Sequence, residues 1–103
     1  MTIFVGRRRN TNRTGKGFSD IEIMQVWSKG TIVLMSDRRL WRRDICGKLM
    51  YFPSYGDVNS SYGWEIDHKM PVSKNGSDLL SNLQPLQWEN NRKKGDTFPW
   101  FCW

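Results

Sequence analysis

Trp64-Glu65-Ile66-Asp67-His68, Leu83-Gln84-Pro85-Leu86 and Trp88-Glu89-Asn90-Asn91-Arg92-Lys93-Lys94-Gly95 decide how the last third of this 103-residue chain folds. From Trp64 to Asp67 apolar and acidic residues alternate, the period-two pattern of a short, half-buried strand. Leu83 to Leu86 reads as a second short strand. Pro85 has no N–H for a ladder, which either argues against a strand here or places it at an edge. Trp88 to Lys94 has helical character, and Gly95 suits its end. Lys74-Asn75-Gly76-Ser77-Asp78 is a turn cluster between the two strands. The order is strand, loop, strand, helix.

Working outward, Ser19-Asp20-Ile21-Glu22 fits a capping box, and Ile23 and Trp27 share one helical face. A helix over about residues 19–29, stopped near Gly30, is expected. Residues 31–35 are strand-prone. Leu40 to Asp44 and Lys48 to Phe52 flank Ile45-Cys46-Gly47 as a hairpin. Pro53 to Tyr62 reads as a loop. The class is therefore α+β, with an amino-terminal helix and a β-hairpin ahead of the strand-strand-helix unit.

The chain carries a formal net charge of +6, with 14% aromatic and 25% charged residues, which argues against wholesale disorder. Arg7, Arg8, Arg9, Arg13 and Lys16 give the first sixteen residues +5 of that charge. Residues 1–18 are expected to be a basic, flexible arm, and 19–103 one domain with its core motif at 64–96. Such an arm suits a polyanion; a solvated tail is the bland alternative. Cys46 and Cys102 lie 56 positions apart and neither belongs to a C-x-x-C pair. Free thiols are expected, with a disulfide left open. No run is long enough to span a bilayer, and Met1 to Gly6 precede the arginines in the reverse order of a secretory signal. An intracellular, cytoplasmic protein with no membrane partner is expected.

The single histidine, His68, directly follows Asp67. Alone it would more often be structural. Its company is Asn82 and then Asn90-Asn91-Arg92-Lys93-Lys94. Hard oxygen donors around a short helix suit a divalent cation such as Mg²⁺. An imidazole can take a proton near neutrality.

Glu65-Ile66-Asp67-His68-Lys69-Met70-Pro71, Asn75-Gly76-Ser77-Asp78, Ser81-Asn82-Leu83-Gln84-Pro85-Leu86 and Asn90-Asn91-Arg92-Lys93-Lys94 together resemble the HNH endonuclease motif. Asn82 to Asn91 is nine positions and Asn91 to Lys94 three, which matches the family spacing. Weaker similarity extends back through Trp41 to Asp44 and Cys46-Gly47. The resemblance implies a ββα-metal core and hydrolysis of phosphodiester bonds in DNA, with RNA left open. It implies His68 as general base and Asn82 as the residue that fixes the loop and the orientation of His68. It implies Asp67 and Asn91 as ligands of one divalent ion, and Lys94 as a phosphate or structural contact. Glu65 is either a supporting carboxylate or a plain surface one. Asn at the last motif position favours Mg²⁺ or Mn²⁺.

Many HNH proteins carry two C-x-x-C pairs for a structural zinc. Trp88 and Asn90 stand near where such cysteines would sit, so that zinc is not expected, and packing by Trp41, Trp64 and Trp88 would replace it. Phosphate contacts are expected from Arg7, Arg8, Arg9, Arg42, Arg43, Arg92, Lys93 and Lys94, with a solvated face as the alternative for each. The apolar tail from Thr97 to Trp103 should pack on the domain, a partner contact being the alternative. An inactive nucleic-acid-binding module of the same fold is the competing function. Oligomeric state is open.

Overall fold

The computed structural model describes residues 7–102. Met1 to Gly6 of the basic arm, and Trp103, lie outside them. The first helix, α1 (Asp20–Trp27), starts at Ser19, whose hydroxyl accepts from the Glu22 N–H while the Glu22 carboxylate accepts from the Ser19 N–H. This reciprocal pair satisfies donors that a helix start leaves open. The helix is capped at Ser28, ahead of Gly30.

Of the strand-prone run 31–35, only Thr31–Ile32 forms a strand, β1. The chain then turns, with Ser36 N–H donating to the Val33 carbonyl and Met35 at a positive φ of 65°. The expected hairpin forms from β2 (Trp41–Arg43) and β3 (Leu49–Tyr51), and β1, β2 and β3 make one antiparallel sheet.

A second antiparallel sheet pairs β4 (Trp64–His68) with β5 (Leu83–Gln87), Ile66 opposite Pro85 and Asp67 opposite Gln84. The Ile66 N–H turns away from β5 to the Asn10 side-chain oxygen, 2.8 Å away. Ile66 and Pro85 thus form a pair that exchanges no backbone bonds, and Pro85 has no ladder bond to lose. The helix α2 (Trp88–Lys94) follows β5 directly and ends at Gly95. The architecture is α+β, with two helices and two antiparallel sheets.

The core gathers Phe18, Val26, Trp27, Met50, Trp64, Ile66 and Leu83, with Ile23, Phe52 and Tyr55 against it. Trp64 is its centre, in ring contact with Trp27, Phe52 and Tyr55. Trp41 instead stacks with Tyr51 and Tyr62 at the margin, and Trp88 donates to the Ser60 carbonyl. The hairpin is joined to the β5–α2 corner by a polar clamp. Asp44, buried, accepts from Cys46 N–H, Lys48 N–H, Gln87 N–H and Asn90 Nδ2. A buried carboxylate and an amide thus connect these elements.

Residues 7–18, expected to be flexible, make defined contacts. Asn10 accepts from Ile66 N–H and from the Tyr55 hydroxyl, Arg13 N–H donates to Asp78, and Phe18 enters the core. The expectation of free thiols is corrected. Cys46, in the hairpin turn, and Cys102, in the tail, are joined as a disulfide, with Cα atoms 5.4 Å apart. The tail folds back across the hairpin turn and brings two residues distant in sequence together. Among the described residues no helix is long and apolar enough to cross a membrane.

Candidate active site

Successive side chains of a strand point to opposite faces. On β4 this sends Trp64 and Ile66 into the core, with His68 beside Phe18, ring centroids 6.1 Å apart. Glu65 and Asp67 take the other face, under α2. The half-buried strand expected from the alternation is in fact buried on both faces at all five residues. The physical reason is α2, which brings polar partners to the acids. Asn91 Nδ2 donates to Glu65 Oε1 at 2.9 Å, and Lys94 Nζ stands 3.2 Å from Asp67 Oδ1. Gln84, across the sheet, donates to Asp67 Oδ2. Burial pushes the Asp67 carboxyl up from its ordinary range, against the pull of Gln84, Lys94 and His68. Glu65 is thus a buried partner of Asn91, not a surface carboxylate.

His68 is 3% exposed, and its Nε2 lies 2.7 Å from Asp78 Oδ1. Both Asp78 oxygens also accept from the Arg13 N–H at 3.2 Å. Asp78 therefore ties the imidazole to the amino-terminal segment. Asn82 accepts from Met70 N–H and donates to the Met70 and Ser77 carbonyls, so it closes the loop that carries Asp78. It meets the His68 segment through this loop and through its own carbonyl, which accepts from the Lys69 N–H at 2.7 Å. Gly76 sits where a Cβ would overlap the Met70 and Pro71 carbonyls, so the close turn needs glycine.

Asp67, His68 and Asn91 line one cleft of about 470 Å³ together with Arg7, Arg8, Arg9 and Asn10. The three motif residues thus border one cleft. Among the described residues no three His, Cys, Asp or Glu side chains converge as a cation cage. The donor set that remains is one carboxylate and one amide. With Nδ2 engaged by Glu65, the Asn91 Oδ1 is left as acceptor. One carboxylate and one amide oxygen, completed by water and phosphate, is a donor set that Mg²⁺ accepts. The residues fit such an ion, with the proviso that Lys94 and Gln84 already share the Asp67 oxygens.

Arg42, expected to contact phosphate, and Lys94, expected as a phosphate or structural contact, are both engaged inside the fold. Arg42 is buried, its guanidinium donating to the Arg38, Ser28 and Gly30 carbonyls. Lys94 is 2% exposed and spends its ammonium on the His68 carbonyl and Asp67. Both are internal ties, because each reaches backbone carbonyls that would otherwise be left unpaired. Arg7, Arg8, Arg9, Arg43, Arg92 and Lys93 are exposed, with Arg92 lying 4.8 Å over the Trp88 ring. Asp78 and Asp44 escaped the sequence reading. Asp78 stands in a turn cluster and in the motif stretch with no role given to it, and nothing in the order of residues shows that the turn folds onto His68.

Comparison with curated proteins and with solved structures gives no match for this chain. Residues 54–97, a stretch that spans β4, β5 and α2, match the family model described as HNH endonuclease.

Proposed function

We propose that this protein is a metal-dependent endonuclease that hydrolyses phosphodiester bonds in DNA. The observation that carries the reading is the shared cleft, which Asp67, His68 and Asn91 line together with three arginines. The order β4, β5, α2 is compatible with a ββα-metal core. Asp67 and Asn91 are the residues that would hold one divalent ion, Mg²⁺ or Mn²⁺. When bound, such an ion supplies Lewis-acid stabilisation of charge on the phosphate and the departing oxygen.

The chain's own groups do the rest. A carboxylate only accepts hydrogen bonds, so His68 Nε2 donates to Asp78 and Nδ1 keeps its lone pair. Nδ1 takes a proton from a water as its oxygen bonds to phosphorus. The bond from phosphorus to the 3′ oxygen breaks, and that oxygen takes a proton from solvent water, which leaves a 5′-phosphate and a 3′-hydroxyl. Arg7, Arg8 and Arg9 contact phosphate oxygens, which positions the strand without reading its sequence.

Nicking of supercoiled plasmid with Mg²⁺, Mn²⁺ or chelator tests this. His68→Ala should lose about 10²–10⁴-fold in rate, the usual worth of a general base, while binding is kept. Full activity of that variant would refute the assignment. One observation favours the second reading, a binding module without hydrolysis: the Asp67 oxygens are shared by Lys94 and Gln84. Plasmid that stays supercoiled at every metal concentration, though bound, would decide for it.

A further inference from the structure

Away from the His68 cleft, the tail and the hairpin turn enclose a groove of about 340 Å³, lined by Phe98, Phe101, Ile45 and Lys69 among others. It adjoins a second hollow of about 100 Å³ that Lys29 and Arg43 line, and Ile45, Lys69 and Gln84 border both. One end of the combined groove is aromatic. Phe98 is 44% and Phe101 75% exposed, a large apolar display for two phenylalanines held on a disulfide-tied segment. The other end is cationic. Lys29, Arg43 and Lys69 pair with no carboxylate among the described residues. Asp44, the acid that lines the hollow, is spent on four internal donors. Lys29 is held in place by the Leu80 and Leu83 carbonyls. Burial first and the Lys69 charge second lower its pKa, as expected of ammonium groups close together with no anion between them.

We propose that this groove binds an unpaired nucleotide, its base against Phe98 and Phe101 and its phosphate on Lys69, Arg43 and Lys29. Aromatic faces that stack bases beside cations that track the backbone are the two parts of single-strand recognition. Phosphate alone would not need the exposed rings, and an apolar peptide would not need the three unpaired cations. The proposal rests on the nucleic-acid reading above and narrows its substrate to strands that carry a frayed, flipped or single-stranded nucleotide.

The test is fluorescence anisotropy of a labelled oligothymidylate and of a labelled duplex of equal length, in chelator, on a His68→Ala background. Phe101→Ala should weaken the single strand roughly tenfold and leave the duplex unchanged, and Phe101→Trp should retain affinity. Lys69→Gln and Arg43→Gln should each reduce the slope of log K against log salt for the single strand by about 0.7. Equal losses on both ligands, or none on either, would overturn the proposal. The readout is binding without metal, so absence of plasmid nicking would sink the hydrolytic reading and leave this one standing.

Discussion

The Lys94 ammonium lies 3.2 Å from Asp67 Oδ1 with both side chains buried, one at 2% and the other at 7% exposure. The same ammonium donates to the His68 carbonyl at 2.9 Å. One cation at the end of α2 thus holds both the carboxylate and the backbone of the Asp67-His68 pair. Removing it strands a buried carboxylate, which costs about 3–5 kcal/mol for pairs of this kind. Lys94→Met should lower stability by that order in urea denaturation. Lys94→Met combined with Asp67→Asn should recover part of the loss, because the stranded charge goes with it. A double variant no more stable than the single one would show that the His68 carbonyl, not Asp67, is the partner that matters.

Asp78 is a positioning residue in the proposed reaction, since it meets the imidazole and not the phosphate. Asp78→Asn keeps an oxygen for the Arg13 N–H and weakens the charge-assisted bond to His68 Nε2. Nicking should fall roughly tenfold to a hundredfold, within the range of general-base effects, with DNA affinity unchanged. Imidazole nitrogen resonances should show a changed Nδ1/Nε2 tautomer balance, and Asp78→Glu should restore part of both. Reduced nicking with an unaltered imidazole spectrum would assign Asp78 to loop structure alone.

Local order was well marked in the sequence, and the meeting of distant parts was not. The Ser19–Glu22 cap, the hairpin around Cys46 and Gly47, and the β4, β5, α2 order follow from short-range patterns that backbone chemistry enforces. The alternation at Trp64 to Asp67 located a strand but misjudged its environment. A carboxylate is read as solvent-facing unless its partner is known, and Asn91 and Lys94 stand more than twenty residues away. The same limit applies to Arg42, a cation in a basic run whose targets are carbonyls of another turn. Asp78 against His68 and Cys46 against Cys102 depend on loop closure, which no local spacing encodes.

Tyr55 supplies a pH test of how the amino-terminal segment is fastened. Its hydroxyl donates to Asn10 Oδ1 at 2.9 Å, and burial pushes its pKa up to about 12 from the ordinary 10.0. The unfolded chain gives up this proton first. The contribution of neutral Tyr55 is therefore complete below pH 10.0 and is lost as pH rises toward about 12. Urea midpoints measured across that window should fall for the native protein more than for Tyr55→Phe. The variant itself should lose on the order of 1 kcal/mol near neutrality, the usual worth of one hydrogen bond. Parallel alkaline profiles for the two proteins would refute this account of Tyr55.

The Cys46–Cys102 bond closes 56 positions of chain and fixes Phe98 to Phe101 beside the hairpin turn. A loop of that length removes unfolded-state entropy worth about 4 kcal/mol in the chain-entropy model, an upper figure for the gain in stability. Reductant should lower the urea midpoint of the native protein and leave a Cys46→Ser, Cys102→Ser variant unchanged. The cleft residues Asp67, His68 and Asn91 are held by α2, Gln84 and Asp78, none of which is joined by this bond. Plasmid nicking should therefore survive reduction under conditions where the protein stays folded, while affinity for an unpaired strand falls because the aromatic tail is released. Loss of both together, at a reductant concentration that leaves the fold intact by circular dichroism, would mean that the tail supports the His68 cleft as well.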